Sequence, residues 1–146
     1  DAISQTTGVA EKFNGWPEGY RAIQIWDNRM PSYFFRIFGR PVRATVCECE
    51  RSGEPSISQA LHLLNSPEIM AKIQHRDGTA RRLANSELTN DELIDELYLT
   101  TLSRFPNEEE RNLMREAFSD SGSERNEAVE DVLWALLNTK EFIFNH

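Results

Sequence analysis

Cys47 and Cys49, the only cysteines of the chain, stand two residues apart in a stretch crowded with charge. Redox, metal or anion chemistry would have to be done there. Arg36, Arg40, Arg43 and Arg51 surround the pair, Glu48 and Glu50 alternate with it, and His62 follows a short way downstream. Two thiolates joined by His62, with His75 as a further imidazole, are a soft donor set suited to zinc or copper. A single Cys-x-Cys with distant histidines is a sparse version of the structural zinc pattern, which normally brings two close pairs. In extended backbone, residues i and i+2 lie roughly 6.5 Å apart at Cα, so a Cys47–Cys49 disulfide needs a local turn. Free thiols beside guanidinium groups would be partly ionised and reactive, and buried thiols would be small packing groups. The spacing leaves metal, redox and packing roles open.

Between Arg29 and Arg51 there are five arginines and no lysine. Guanidinium groups pair bidentately with carboxylates, sulfates and phosphates, so an anion pocket is one reading. Glu48, Glu50 and Glu54 are close enough in sequence to make an internal ion-pair network the other. Tyr33, Phe34, Phe35 and Phe38 can stack on a sugar or a partner, although a cluster of this size more commonly makes core. His62 lies among leucines, where it suits a buried hydrogen-bond network or an acid–base role. No serine, cysteine or spaced carboxylate pair completes a catalytic unit around it. Glu48 and Glu50 would need a cleft to act as a glycosidase pair.

The bulk properties narrow the class. A chain of 146 residues with 39% hydrophobic and 27% charged residues is expected to form one domain with a real core. No apolar run approaches the roughly 18 residues of a membrane span, which argues against membrane insertion. The net charge of −8 is carried by the C-terminal part: residues 1–52 hold seven Lys+Arg against six Asp+Glu, and residues 53–146 nine against eighteen. Such a surface repels phosphate backbones and argues against nucleic-acid binding. The start, Asp1-Ala2-Ile3-Ser4, has no leader pattern, and without an initiator Met the chain reads as an excerpt of a longer one.

Residues 53–146 repeat helix signals. Pro55 opens a helix over 55–65 with Ile57, Ala60, Leu61 and Leu64 on one face. Ser66-Pro67-Glu68 starts another, carrying Ile69, Met70 and Ile73; Gly78 closes it or its loop, and a short basic helix over 79–84 follows. Thr89 and Glu92 have capping-box spacing ahead of Leu93, Ile94, Leu97, Tyr98 and Leu102, with Pro106 as the stop. Asn107 and Glu110 repeat the cap, leading to Leu113, Met114, Ala117 and Phe118. After a loop over 119–123, a last helix from about Glu124 carries Val129, Val132, Leu133, Leu136 and Leu137, with Trp134 as a packing residue, to near Asn138.

Residues 1–52 differ in kind, because Gly8, Gly15, Pro17, Gly19, Pro31, Gly39 and Pro41 interrupt them. Residues 1–7 read as the end of a helix with Gly8 as its left-handed terminator. Residues 22–26 read as a short extended segment and 31–38 as an aromatic helix. The expected fold is mainly α: a bundle-like domain of about five or six helices, a long irregular N-terminal arm over 1–52 packed on 53–146, and at most minor β.

Several of these residues also carry a resemblance. Asn28-Arg29-Met30-Pro31-Ser32-Tyr33-Phe34, then Phe38-Gly39-Arg40-Pro41 and Cys47-Glu48-Cys49-Glu50-Arg51, resemble a signature of the large planctomycete-type family called domain of unknown function 1553. The likeness continues through residues 59–65, Glu96-Leu97-Tyr98-Leu99, Ser103-Arg104-Phe105-Pro106 and residues 133–142. The chain resembles the C-terminal half of that domain. The resemblance implies a piece of a large exported protein, periplasmic or at the cell surface, beside further domains and sometimes a c-type cytochrome-like module. No activity comes with it. Residues 97–118 are also similar, more weakly, to a helical surface-layer-associated repeat.

The chain has no Cys-x-x-Cys-His, so it is expected to attach no haem and to hold no cofactor of its own. Three functions follow as expectations. The first is a non-catalytic helical module docked on the remaining domains of its parent protein through the aromatic and arginine segment. The second is a redox or metal accessory site at Cys47 and Cys49, beside a cytochrome module. The third is a binder or enzyme of carbohydrate or sulfated glycan, with an anionic ligand.

Overall fold

The computed structural model describes residues 1–25, 65–120 and 124–145. The described residues form seven α-helices, one 3-10 turn and no strand. In chain order these are α1 (Ala2–Thr7), the 3-10 turn (Ala22–Gln24), α2 (Pro67–Ile73), α3 (Thr79–Ala84), α4 (Asn90–Leu102), α5 (Glu108–Asp120), α6 (Arg125–Leu137) and α7 (Lys140–Asn145). No helix among them is long and apolar enough to cross a membrane. The mainly α class expected from the sequence is what the chain adopts. The expected helix over 31–38 lies outside the described residues, as does that over 55–65 except for Asn65, which is helical.

Helix α6 is the hub, packing against α2, α3, α4, α5 and α7, while α1 packs on α2 and α3. Its sequence explains why. Val129, Val132, Leu133, Leu136 and Leu137 are all buried, and Ala128 widens the apolar stripe. Opposite them lie Leu93, Ile94, Leu97 and Tyr98 of α4, Ile69 and Ile73 of α2, and Ala80 and Leu83 of α3. Trp134 packs at the edge of this cluster, as expected of it.

The helix ends follow local chemistry. Helix α1 stops at Gly8, whose φ of 70° is left-handed. Gly78 caps α3 for a different reason, since its φ is ordinary. A Cβ there would stand 3.0, 3.1 and 3.3 Å from the carbonyl oxygens of His75, Thr7 and Lys72, so only glycine lets α1 and α2 close on this turn. At α4 the capping box forms as its spacing predicts: Glu92 N donates to Thr89 Oγ1, and Thr89 N donates to Glu92 Oε2 at 2.7 Å. At α5 Glu110 N donates to Asn107 Oδ1 at 2.9 Å, and Asn107 N donates to Glu110 Oε2 at 2.8 Å.

Four details differ from expectation. Residues 22–24 turn rather than extend, because the Asp1 carboxylate accepts from Ala22 N at 2.7 Å and Ile23 N at 3.2 Å, gathering two successive amides. Helix α4 ends at Ser103, at φ 57°, ahead of Pro106. Leu113 of α5 is 60% exposed and Ala117 is exposed; only Met114 and Phe118 reach the core. The reason is helical geometry: Arg111, which pairs with Asp95 at 2.6 Å, and Arg115, which pairs with Asp91 at 2.7 Å, share a face with Met114 and Phe118, and Leu113, two positions from each arginine, falls on the other side. Finally, residues 140–145 make a helix of their own, with Phe142 N donating to Thr139 Oγ1 and the Phe142 ring buried.

Candidate functional site

Cys47, Cys49, Arg36, Arg40, Arg43, Glu48, Glu50, Arg51 and His62 all lie outside the described residues, as do Arg29, Glu54 and the Tyr33–Phe38 aromatics. His75 is described: it is exposed, and its Nδ1 accepts from Asp77 N at 3.2 Å. Among the described residues no group of three His, Cys, Asp or Glu is placed to hold a metal ion.

The most concentrated chemistry the structure does describe is built on Arg104, in the turn between α4 and α5. The left-handed Ser103 reverses the chain immediately after α4, and buried Pro106 then directs it into α5. Arg104 is thereby set between two helices. Its Nη2 and Nη1 donate to Glu110 Oε1 and Oε2 at 2.7 and 2.8 Å. Its Nε and Nη2 donate to Glu141 Oε1 and Oε2 at 2.8 and 2.7 Å, and Nη1 also donates to the Phe105 carbonyl at 3.1 Å. Every N–H of a guanidinium group is used in this set. The Arg104 Cζ atom also stands 5.4 Å from the centroid of the buried Tyr98 ring, a cation–π contact.

The electrostatics follow from these bonds. Hydrogen bonds from Arg104 hold the Glu110 and Glu141 carboxyls below the usual carboxylate range, and the Asn107 amide adds to the effect at Glu110. The same bonds push the Arg104 guanidinium upward, so it stays charged at any ordinary pH. Burial raises the Tyr98 phenol, with the Glu110 charge acting in the same direction. All three charged members therefore hold their ordinary charge at neutral pH, leaving one excess negative charge. With all its donors engaged, Arg104 has none left for a further anion. The arrangement locks geometry and offers no free acid, base or nucleophile.

Around this lock three large apolar side chains are exposed among polar ones. Phe105 is 61% exposed and Phe144 55%. On α5, Leu113 lies one turn beyond Glu110, and on α7 Phe144 lies one turn beyond Glu141. Phe105 follows Arg104 directly, so each of the three exposed side chains lies within a turn of a member of the Arg104 group. Sequence reasoning missed the lock. Ser103-Arg104-Phe105-Pro106 and the Asn107 box are visible as a turn and a cap, but nothing local pairs Arg104 with Glu141, 37 positions away.

No curated protein matches the chain, and no solved structure matches it. A family model does match, over residues 9–118 of the 146. The match takes in Arg104 and Glu110, and Glu141 lies beyond it. Since it spans well over half the sequence, the chain belongs to the family described as protein of unknown function (DUF1553).

Proposed function

We propose that this chain is a non-catalytic interaction module of a large exported protein, whose remaining domains are its partners. In this reading residues 1–52 form an arm laid on a helical scaffold, 53–146, and the scaffold meets a neighbouring domain through the face around Arg104. One observation carries it: Phe105, Leu113 and Phe144 are left exposed around a guanidinium that has no free donor. Exposed aromatic and aliphatic side chains held on a rigid support are what a docking surface requires. The rigidity comes from the lock, since Arg104 ties the α4–α5 turn to α7 and reduces the ordering cost of association.

Hydrogen exchange tests the reading. Amides over 103–113 and 140–145 are followed in the 146-residue chain alone and in the longer polypeptide that contains it. Slower exchange of both segments in the longer polypeptide is the expected result. Equal rates in the two would overturn the proposal.

A further inference from the structure

We propose that Asn14 is a site of spontaneous covalent modification, deamidating through its bond to Gly15 faster than any other described asparagine. Asn14-Gly15 is the one Asn-Gly pair of the sequence. It occupies the centre of a turn in which Trp16 N donates to the Phe13 carbonyl at 3.0 Å, with Gly15 at φ 87° and Asn14 outside the left-handed region. This is the type II arrangement, which calls for glycine at its third position.

The conditions for the reaction meet at this turn. The nucleophile is the backbone nitrogen of Gly15, which donates to no acceptor among the described residues. Asn14 and Gly15 are both exposed, so water and hydroxide reach them. A Cβ built on Gly15 would meet nothing within 4 Å, so a ring has room to close. Gly15 N attacks Asn14 Cγ, and the new Cγ–N bond displaces Nδ2. The proton lost from Gly15 N is balanced by one taken up by Nδ2, which departs as ammonia. Water then opens the cyclic imide: breaking its Cγ–N bond gives aspartate, and breaking its backbone C–N bond gives isoaspartate, with the main chain running through Cγ. Either product adds a negative charge within the segment bridged by the Lys12–Glu18 ion pair. Isoaspartate also lengthens the main chain by a methylene, displacing the Phe13–Trp16 bond and the packing of the Trp16 ring on Tyr20, now 5.4 Å apart at their centroids.

Other asparagines followed by a small residue each lack one condition. Ser86, after Asn85, donates its backbone N–H to the Leu83 carbonyl at 3.0 Å, and Thr139, after Asn138, donates to the Leu136 carbonyl at 3.1 Å. Ser66, after Asn65, is buried. Freeing Ser86 N costs a hydrogen bond before the reaction can begin, so folding should hold Asn85 back by at least roughly tenfold.

The test ages the 146-residue chain at mildly alkaline pH, folded and in urea, with peptide mass mapping to locate each conversion and isoaspartyl methyltransferase labelling to count the isoaspartyl product. Circular dichroism confirms that the folded sample keeps its helices. In the folded chain Asn14 should convert first. In urea Asn85 should accelerate by at least roughly tenfold, whereas Asn14 should change by less than about threefold. Gly15→Ala should slow conversion at Asn14, and Asn14→Gln should remove the fast phase of labelling. Asn85 keeping pace with Asn14 in the folded chain would overturn the proposal. So would much faster conversion of Asn14 in urea than in the folded chain, which would show that the turn shields it. A fast phase that persists in Asn14→Gln would place the reaction elsewhere and overturn it as well.

Discussion

Arg104 and Glu141 are joined by two hydrogen bonds of 2.8 and 2.7 Å across 37 positions of sequence, and the same guanidinium holds Glu110 by two more. This relationship fastens α7 to the α4–α5 turn. Arg104→Ala should therefore cost about 2 kcal/mol of unfolding free energy, a value kept modest because the group is partly exposed. Arg104→Lys should recover little, since a lysine ammonium cannot serve two carboxylates side by side. Urea denaturation of both variants checks this, and a cycle with Glu141→Gln should show positive coupling between positions 104 and 141.

The same bonds set a pH dependence. Glu110 and Glu141 titrate below their ordinary value of 4.5 in the folded chain. Each therefore contributes stability that is complete above the unfolded value and is lost as pH falls through the depressed folded one. Asp91, lowered by its hydrogen bond to Arg115, behaves in the same sense. Urea midpoints measured from neutrality downward should stay level and then fall from about pH 4.5. In Arg104→Ala the fall should be shallower, with the Asn107 amide and the Asp91–Arg115 pair retaining part of it.

Two glycines separate steric from conformational demand. Gly78→Ala places a Cβ against three backbone carbonyls and should cost roughly 2 kcal/mol through displacement of α1 from α2 and α3. Gly15→Ala meets nothing within 4 Å but must hold a φ of 87°, and should cost about 1 kcal/mol. Thermal unfolding of the two variants, with hydrogen exchange of α1, distinguishes them: only Gly78→Ala should loosen α1.

Leu133 and Leu113 test where the core ends. Leu133 is completely buried in α6, and Leu133→Ala should cost about 3 kcal/mol. Leu113→Ala should change stability by less than about 0.5 kcal/mol, because its side chain is mostly in solvent already. Chemical denaturation of both measures the contrast.

Features decided by a few neighbouring residues were legible in advance. The Thr89 and Asn107 boxes, the start of α6 at Glu124 and the short helix Thr79–Ala84 depend on contacts within a turn or two, and spacing reveals them. Features decided by distant partners were not. Leu113 is one position from Met114 and five from Phe118, so it does not share their face, and only the contact of Met114 and Phe118 with the core decides which of the two faces of α5 turns inward. Residues 22–24 looked extended until the carboxylate of Asp1 gathered their amides. Arg104 was visible as part of a turn, but its second carboxylate comes from α7, a helix whose cap is the inconspicuous Thr139. The cysteine and arginine cluster lies outside the described residues, so its chemistry stands as the sequence left it.

The hub position of α6 also bears on how the chain matures. Synthesis proceeds from the amino end, so α1 through α5 leave the ribosome before the helix that joins α2, α3, α4 and α5 exists. Until Leu136 and Leu137 clear the exit tunnel, the greasy faces of those earlier helices have nothing native to close upon. Nascent chains halted before α6 has left the tunnel should accordingly be captured by chaperones or degraded, whereas those extended far enough to hold residue 137 outside it should close cooperatively.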